Sequence, residues 1–86
     1  MTSPGVVREH VVAAVAAATD LTAAQVVAAD SLFDLPGYDS LAVVEILARL
    51  ENALAVEVPA EAVLPEAFER LSGLTALVLD ALRATP

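Results

Sequence analysis

The sequence predicts an all-α bundle that forms a single domain over residues 1–86. Three long segments repeat apolar residues at the spacing of an α-helix, and no segment alternates apolar and polar residues as a strand would. The chain is rich in alanine, valine and leucine but has only one tyrosine, two phenylalanines and no tryptophan. Such small side chains let helices approach closely. A chain of this length buries roughly 60% of its unfolded surface, which is enough for one modest core.

The first helix is predicted over residues 4–18. Ser3 and Pro4 are typical of a helix start, because serine caps the helix and proline fits its first turn. An apolar stripe follows at helical spacing and consists of Val7, Val11, Ala14, Val15 and Ala18. Thr19 and Asp20 end the pattern.

A long connection over residues 19–39 follows. Thr22 and Gln25 have the spacing of a capping box, which predicts a short helical turn. Residues 34–37 read Asp-Leu-Pro-Gly, a combination typical of a turn. We expect the apolar residues of the connection to pin it to the core, namely Leu21, Val26, Leu32, Phe33 and Leu35.

The second long helix is predicted over residues 40–54, and it has two apolar faces. On a helical wheel of ~100° per residue, the core face consists of Val43, Ile46, Leu47, Leu50 and Leu54. A second stripe lies on another side and consists of Leu41, Val44 and Ala48. Either the long connection covers this stripe, or the stripe is a contact surface. We favour a contact surface, because the stripe begins beside Ser40.

The last third of the chain predicts short helices followed by a long one. Residues 59–71 contain two apolar clusters separated by Pro65, which indicates one or two short helices. Ser72 is predicted to cap a final helix that ends near Ala84.

Charge and composition exclude several classes of function. The net charge is −8, with twelve acidic residues against four arginines, so a nucleic-acid partner is not expected and a basic protein partner is favoured. The absence of cysteine is consistent with a cytoplasmic protein. The longest apolar run is about eight residues, far short of the roughly 20 that span a bilayer. No basic region of a signal peptide is seen, so we expect no membrane segment and no signal.

No catalytic or metal-binding constellation is evident. A serine nucleophile needs a base, and the one histidine, His10, lies at the edge of the first helix's stripe. The carboxylates are scattered and do not have metal-ligand spacing. We therefore expect neither a catalytic residue nor a metal site.

Ser40 is instead suited to being modified. A serine at a helix start presents its hydroxyl outward, and the helix N-terminus favours a phosphodiester there. The alternative is that Asp39 or Ser40 is only a helix cap.

One stretch of the chain resembles acyl carrier proteins and the related peptidyl and aminoacyl carriers. It reads Gly37-Tyr38-Asp39-Ser40-Leu41, followed by Val44-Glu45-Ile46 and Leu50-Glu51. Val58-Pro59 and the final helix also fit that family. The resemblance implies a four-helix bundle of acyl-carrier type, with a short third helix and a long structured loop between helices 1 and 2.

The resemblance also implies a function. A phosphopantetheinyl transferase would join 4′-phosphopantetheine from coenzyme A to Ser40, and the thiol of that arm would hold acyl or aminoacyl groups as thioesters. Acyl- or aminoacyl-loading ligases or transferases and downstream synthase enzymes would then bind weakly through charge-steered contacts. The implied partner face consists of Asp39, Leu41, Val44, Glu45 and Ala48. We expect a monomer.

Some residues depart from the family pattern. Pro36 precedes the motif glycine, and Arg49 and Asn52 weaken the acidity of the second long helix. The segment over residues 59–72 is longer than in fatty-acid carriers. These features favour a discrete carrier in polyketide, nonribosomal-peptide or aminoacyl-thioester biosynthesis. The competing hypothesis is a cofactor-free helical interaction module, which would tolerate Ser40→Ala.

Overall fold

The computed structural model describes residues 3–84, and all the regular structure in that range is helical. The four α-helices are α1 (Pro4–Thr19), α2 (Ala23–Ala28), α3 (Ser40–Leu54) and α4 (Leu71–Ala84). Three short 3-10 turns span Leu32–Asp34, Ala60–Ala62 and Pro65–Phe68. The predicted all-α bundle is confirmed, and α3 has the predicted bounds.

Helix α1 is the centre of the bundle, because it packs against α2, α3 and α4. The Ser3 hydroxyl caps it by accepting a hydrogen bond from the amide of Val6 at 3.3 Å. The helix ends where Asp20 takes a left-handed conformation with φ of 58°. It extends one residue beyond the predicted end. Its buried residues are Val7, Val11, Val12, Ala14 and Val15.

The connection between α1 and α3 contains the short helix α2. Its capping box forms as predicted: the Gln25 amide donates to the Thr22 hydroxyl at 3.1 Å, and the Thr22 amide donates to the Gln25 side chain at 2.9 Å. Val26 and Leu32 are buried and attach the connection to the core. The prediction that Phe33 also attaches the connection to the core was wrong, because Phe33 is 51% exposed.

The segment between α3 and α4 contains the one or two short helices that were predicted there. They are two 3-10 helices, Ala60–Ala62 and Pro65–Phe68, and the one short α-helix among residues 3–84 is α2. Pro65 separates the two 3-10 helices, because proline lacks an amide donor and holds the preceding residue extended. Leu64, just before Pro65, has φ of −106° and ψ of 143°.

Helix α4 begins one residue before the predicted cap, so the assignment of Ser72 as the cap was wrong. The Arg70 carbonyl accepts from the Leu74 amide at 3.2 Å. The helical pattern therefore starts at Leu71, which is buried. A Cβ at Gly73 would lie 2.7 Å from the Ala67 carbonyl oxygen, so the absent side chain lets α4 approach the preceding turn.

Within residues 3–84, no helix combines the length and apolar character that crossing a membrane requires.

Candidate functional site

The turn before α3 is fixed by a proline and a glycine. The Tyr38 amide donates to the Leu35 carbonyl at 3.2 Å, which closes a turn with Pro36 and Gly37 at its centre. Gly37 has φ of +80°, the conformation that the third position of a type II turn requires. An added Cβ at Gly37 would lie 3.6 Å from the Thr19 carbonyl oxygen, an ordinary contact. Backbone conformation, and not lack of space, therefore selects glycine here.

Asp39 is the cap of α3, and this leaves the Ser40 side chain without a capping role. The Asp39 carboxylate accepts a hydrogen bond from the Ala42 amide at 2.9 Å. Ser40 is the first residue of α3 and is exposed. Among residues 3–84, the Ser40 hydroxyl forms no hydrogen bond. The alternative in which the residue serves only as a helix cap therefore accounts for Asp39 but not for Ser40.

An apolar cleft lies beside Ser40. Its volume is about 420 Å³, and one wall comes from the connection and α3 while the other comes from residues 63–68. The lining residues are Phe33, Tyr38, Asp39, Ser40, Val43, Val63, Leu64, Pro65 and Phe68. Ser40 therefore lines an apolar cleft that is open to solvent.

Two long-range hydrogen bonds join the segments that form and adjoin the two walls of this cleft. The Tyr38 hydroxyl donates to the Phe68 carbonyl at 2.6 Å, and the Leu32 amide donates to the Glu69 carbonyl at 2.7 Å. The Tyr38 ring also contacts the Phe33 ring, with 5.9 Å between the centroids. Burial raises the pKa of Tyr38 to about 12, so its hydroxyl remains a hydrogen-bond donor at neutral pH.

The second apolar stripe of α3 is exposed. Leu41 is 79% exposed and Val44 is 64% exposed, and Ala48 is exposed as well. The alternative in which the long connection covers this stripe is therefore wrong. Beside the stripe, Glu45 Oε2 accepts from Arg49 Nε at 2.9 Å, and both side chains remain about half exposed.

All the site residues predicted from the sequence lie in the first nine residues of α3 or at its cap. Ser40, Val44 and Ala48 are spaced by four, so they share one line along the helix. Sequence analysis missed Tyr38 and Leu64 as parts of the cleft, and it placed Phe33 in the core. An aromatic residue next to a helix cap was a local signal for Tyr38, but nothing local indicated its partner thirty residues away.

His10 is not placed to act on Ser40. It lines a groove between α1 and α3 that also includes Arg49 and Asn52. Arg49 lies nine residues beyond Ser40, or about 13 Å along the axis at ~1.5 Å per residue. Among residues 3–84, no group of three or more His, Asp or Glu residues could hold a metal ion.

The fold and site define a small helical bundle that presents a serine at a capped helix start beside an apolar cleft. A family model described as "phosphopantetheine attachment site" matches residues 9–78, and the chain belongs to this family. Proteins of this family covalently carry 4′-phosphopantetheine. The search of curated proteins and the search of solved structures gave no match.

Proposed function

We propose that Ser40 is the attachment residue of this carrier and that its hydroxyl oxygen becomes esterified to 4′-phosphopantetheine. In the transfer from coenzyme A, that oxygen would lose its proton and bond to the phosphorus of the arm, the P–O bond of the pyrophosphate would break, and the nucleotide half would leave as 3′,5′-ADP. The observation that carries the proposal is the exposed Ser40 hydroxyl, which is released from capping by Asp39. The family match includes this serine within residues 9–78.

The surroundings of Ser40 fit the group. A phosphodiester on Ser40 would sit at the N-terminus of the 15-residue helix α3, where the helix dipole favours negative charge. The apolar cleft of about 420 Å³ offers room beside the attachment point. When bound, the arm supplies a thiol that forms thioesters, a nucleophile that this cysteine-free chain lacks. The chain itself would contribute the anchoring oxygen and the docking surface.

The finer role we propose is that of a discrete, monomeric carrier of acyl or aminoacyl groups in polyketide, nonribosomal-peptide or related specialised biosynthesis. Its partners would be a phosphopantetheinyl transferase, a loading ligase or transferase, and a downstream synthase enzyme. They would dock on the exposed stripe of α3 with its flanking residues, which are Asp39, Leu41, Val44, Glu45 and Ala48. A role in specialised biosynthesis is supported by the weak acidity of α3, where Arg49 pairs with Glu45.

The test is the intact mass of the protein after incubation with coenzyme A and a promiscuous phosphopantetheinyl transferase. We expect the wild type to gain one phosphopantetheine and Ser40→Ala to gain none. Because Asp39 caps the helix, Ser40→Ala should leave the circular dichroism spectrum and the thermal midpoint nearly unchanged.

A folded wild-type protein that gains no mass, beside a control carrier that does, would contradict the proposal. The exposed Leu41 and Val44 would then favour a cofactor-free interaction module.

A further inference from the structure

We propose that the groove between α1 and α3 binds an acidic side chain of a partner protein. Its volume is about 290 Å³, and its lining residues are His10, Ala13, Ala14, Arg49, Asn52 and Ala53. On a helical wheel of ~100° per residue, Arg49 lies on the opposite side of α3 from Ser40. This second surface excludes Ser40 and does not require its modification, so it lies beyond the proposed function.

Three side chains with unused hydrogen-bond donors line the groove. His10 comes from α1, whereas Arg49 and Asn52 come from α3. Among residues 3–84, the side chains of His10 and Asn52 form no hydrogen bond. Within the same range, Arg49 donates only through Nε, to Glu45 Oε2 at 2.9 Å. Its two terminal nitrogens are therefore left for another acceptor.

These donors suit a carboxylate. The Glu45–Arg49 pair spans about one turn of α3 and holds the guanidinium in place, which reduces the side-chain ordering that binding would otherwise require. The terminal nitrogens of Arg49 form a planar fork that matches the two oxygens of a carboxylate. The Asn52 amide and the His10 imidazole add further donors, because an imidazole donates from at least one ring nitrogen whatever its charge.

The rest of the groove lining is apolar. Ala13, Ala14 and Ala53 contribute methyl groups. A glutamate or aspartate side chain has an aliphatic stem that can cover these methyl groups, whereas a phosphate ion has none. The lining therefore favours an acidic side chain over a free phosphate.

The net charge of −8 is concentrated outside the two helices that form the groove. Residues 20–39 contain four aspartates and no arginine, and residues 55–70 contain four glutamates and one arginine, so these connecting segments hold −7 of the total. Helix α1 has one arginine and one glutamate, and α3 has one arginine and two glutamates, so the two walls together contribute −1. Charges more than ~8 Å away are largely screened at physiological ionic strength. An acidic side chain is therefore the complementary charge for this groove, although the chain as a whole favours basic partners.

Nuclear magnetic resonance of the wild-type protein tests the proposal with the peptide acetyl-Ala-Glu-Ala-amide at constant ionic strength. The chain has one histidine, so its imidazole C–H resonances report on the groove without ambiguity. We expect the peptide to shift these resonances and the side-chain N–H resonances of Arg49 and Asn52 in a saturable way. The matched peptide acetyl-Ala-Gln-Ala-amide has nearly the same size but no charge, and it should leave them in place.

Three variants locate the binding site. Arg49→Gln should weaken binding of the glutamate peptide by more than about tenfold, because charge-assisted hydrogen bonds are lost. His10→Ala, followed through the Asn52 side-chain resonances, should weaken it by more than about threefold, since α1 loses its donor. Arg8→Gln is the matched control, because it removes the same charge as Arg49→Gln from an exposed position on α1 outside the groove. It should change the affinity by less than about twofold. Circular dichroism verifies that all three variants are folded.

Any of three results would overturn the proposal. The first is the absence of shifts with the glutamate peptide, or equal shifts with the glutamine peptide. The second is equal weakening by Arg8→Gln and Arg49→Gln, which would show that any exposed cation suffices. The third is tighter binding of inorganic phosphate than of the glutamate peptide, which would assign the groove to a phosphate ligand. None of these measurements needs phosphopantetheine on Ser40, so the proposed function and this proposal succeed or fail independently.

Discussion

The hydroxyl of Tyr38 donates a 2.6 Å hydrogen bond to the backbone carbonyl of Phe68 and so ties the turn before α3 to the turn before α4. The two residues are thirty positions apart, and both line the cleft beside Ser40. The bond is partly buried, and a neutral hydrogen bond of this kind contributes about 1 kcal/mol to folding. Tyr38 thereby links the candidate attachment site to the stability of the whole bundle.

The Tyr38→Phe variant should lower the free energy of unfolding by about 1 kcal/mol, because the Phe68 carbonyl loses its donor while the ring contact with Phe33 remains. Urea denaturation followed by circular dichroism measures the change. Tyr38→Leu, which also removes the aromatic ring, should be less stable than Tyr38→Phe. Equal stability of wild type and Tyr38→Phe would show that the hydrogen bond contributes nothing.

The same residue predicts a loss of stability at alkaline pH. Burial raises the folded-state pKa of Tyr38 from 10.0 to about 12. Between these two values the unfolded chain has released the phenol proton while the folded chain still holds it, so rising pH favours unfolding. The stabilisation is fully present below pH 10.0 and is lost as pH rises through about 12.

The sequence makes this titration easy to observe, since the chain has one tyrosine, no lysine and no cysteine. The urea midpoint should fall as pH rises above 10.0, and tyrosinate absorbance of the folded protein should appear only near pH 12. Tyr38→Phe should remove this slope. A tyrosinate titration centred at 10.0 in the folded protein would contradict the burial of the hydroxyl.

Gly73→Ala should destabilise the bundle by about 1–3 kcal/mol, the usual range for overpacking. The new Cβ would lie 2.7 Å from the Ala67 carbonyl oxygen, so α4 or the preceding 3-10 turn must shift. Gly5→Ala is the control, because a Cβ there meets only the Ser3 hydroxyl oxygen, at 3.9 Å. Thermal unfolding should show Gly5→Ala at or above the wild-type midpoint. If the thermal midpoint of Gly73→Ala were as high as that of Gly5→Ala, the close approach of α4 to the Ala67 carbonyl would be refuted.

Local signals in the sequence were enough to predict α3 and the turn before it, but they left open whether Asp39 or Ser40 caps the helix. The apolar period and the glycine turn lie within residues 34–54, so they could be recognised without knowledge of distant contacts. The Tyr38–Phe68 hydrogen bond could not be predicted, because it depends on how distant segments pack. Ser72 misled for the opposite reason: serine is a good cap, yet α4 begins at the buried Leu71, one residue before the predicted cap.

Asp39→Ala should cost about 1 kcal/mol of stability, since the Ala42 amide loses the carboxylate that caps it. Asp39→Asn keeps an acceptor oxygen at that position and should lose only a few tenths of a kcal/mol. Urea denaturation of both variants separates the contribution of the capping hydrogen bond to stability from the contribution of the negative charge. If Asp39→Asn were as unstable as Asp39→Ala, the negative charge at the helix N-terminus would be the stabilising feature and the hydrogen bond would not.

Glu45→Lys should slow acyl transfer from the loaded carrier to a cognate partner enzyme. Glu45 lies beside the exposed Leu41 and Val44 stripe and neutralises Arg49, so the substitution breaks the 2.9 Å pair and leaves two unpaired cations on this side of α3. Two like charges spaced by four residues cost the helix only a few tenths of a kcal/mol, so the bundle should remain folded. Desolvating these charges in a docked complex is far more costly.

Single-turnover transfer kinetics measure the effect of Glu45→Lys, with circular dichroism to verify folding. Glu9→Lys is the matched control, because it makes the same change of charge at an exposed position on α1 and leaves α3 unaltered. We expect transfer from Glu9→Lys to stay near the wild-type rate, while transfer from Glu45→Lys falls by roughly tenfold, the factor that corresponds to ~1.4 kcal/mol. Equal slowing by both variants would point to net charge, whereas unchanged kinetics for Glu45→Lys would remove Glu45 from the docking surface.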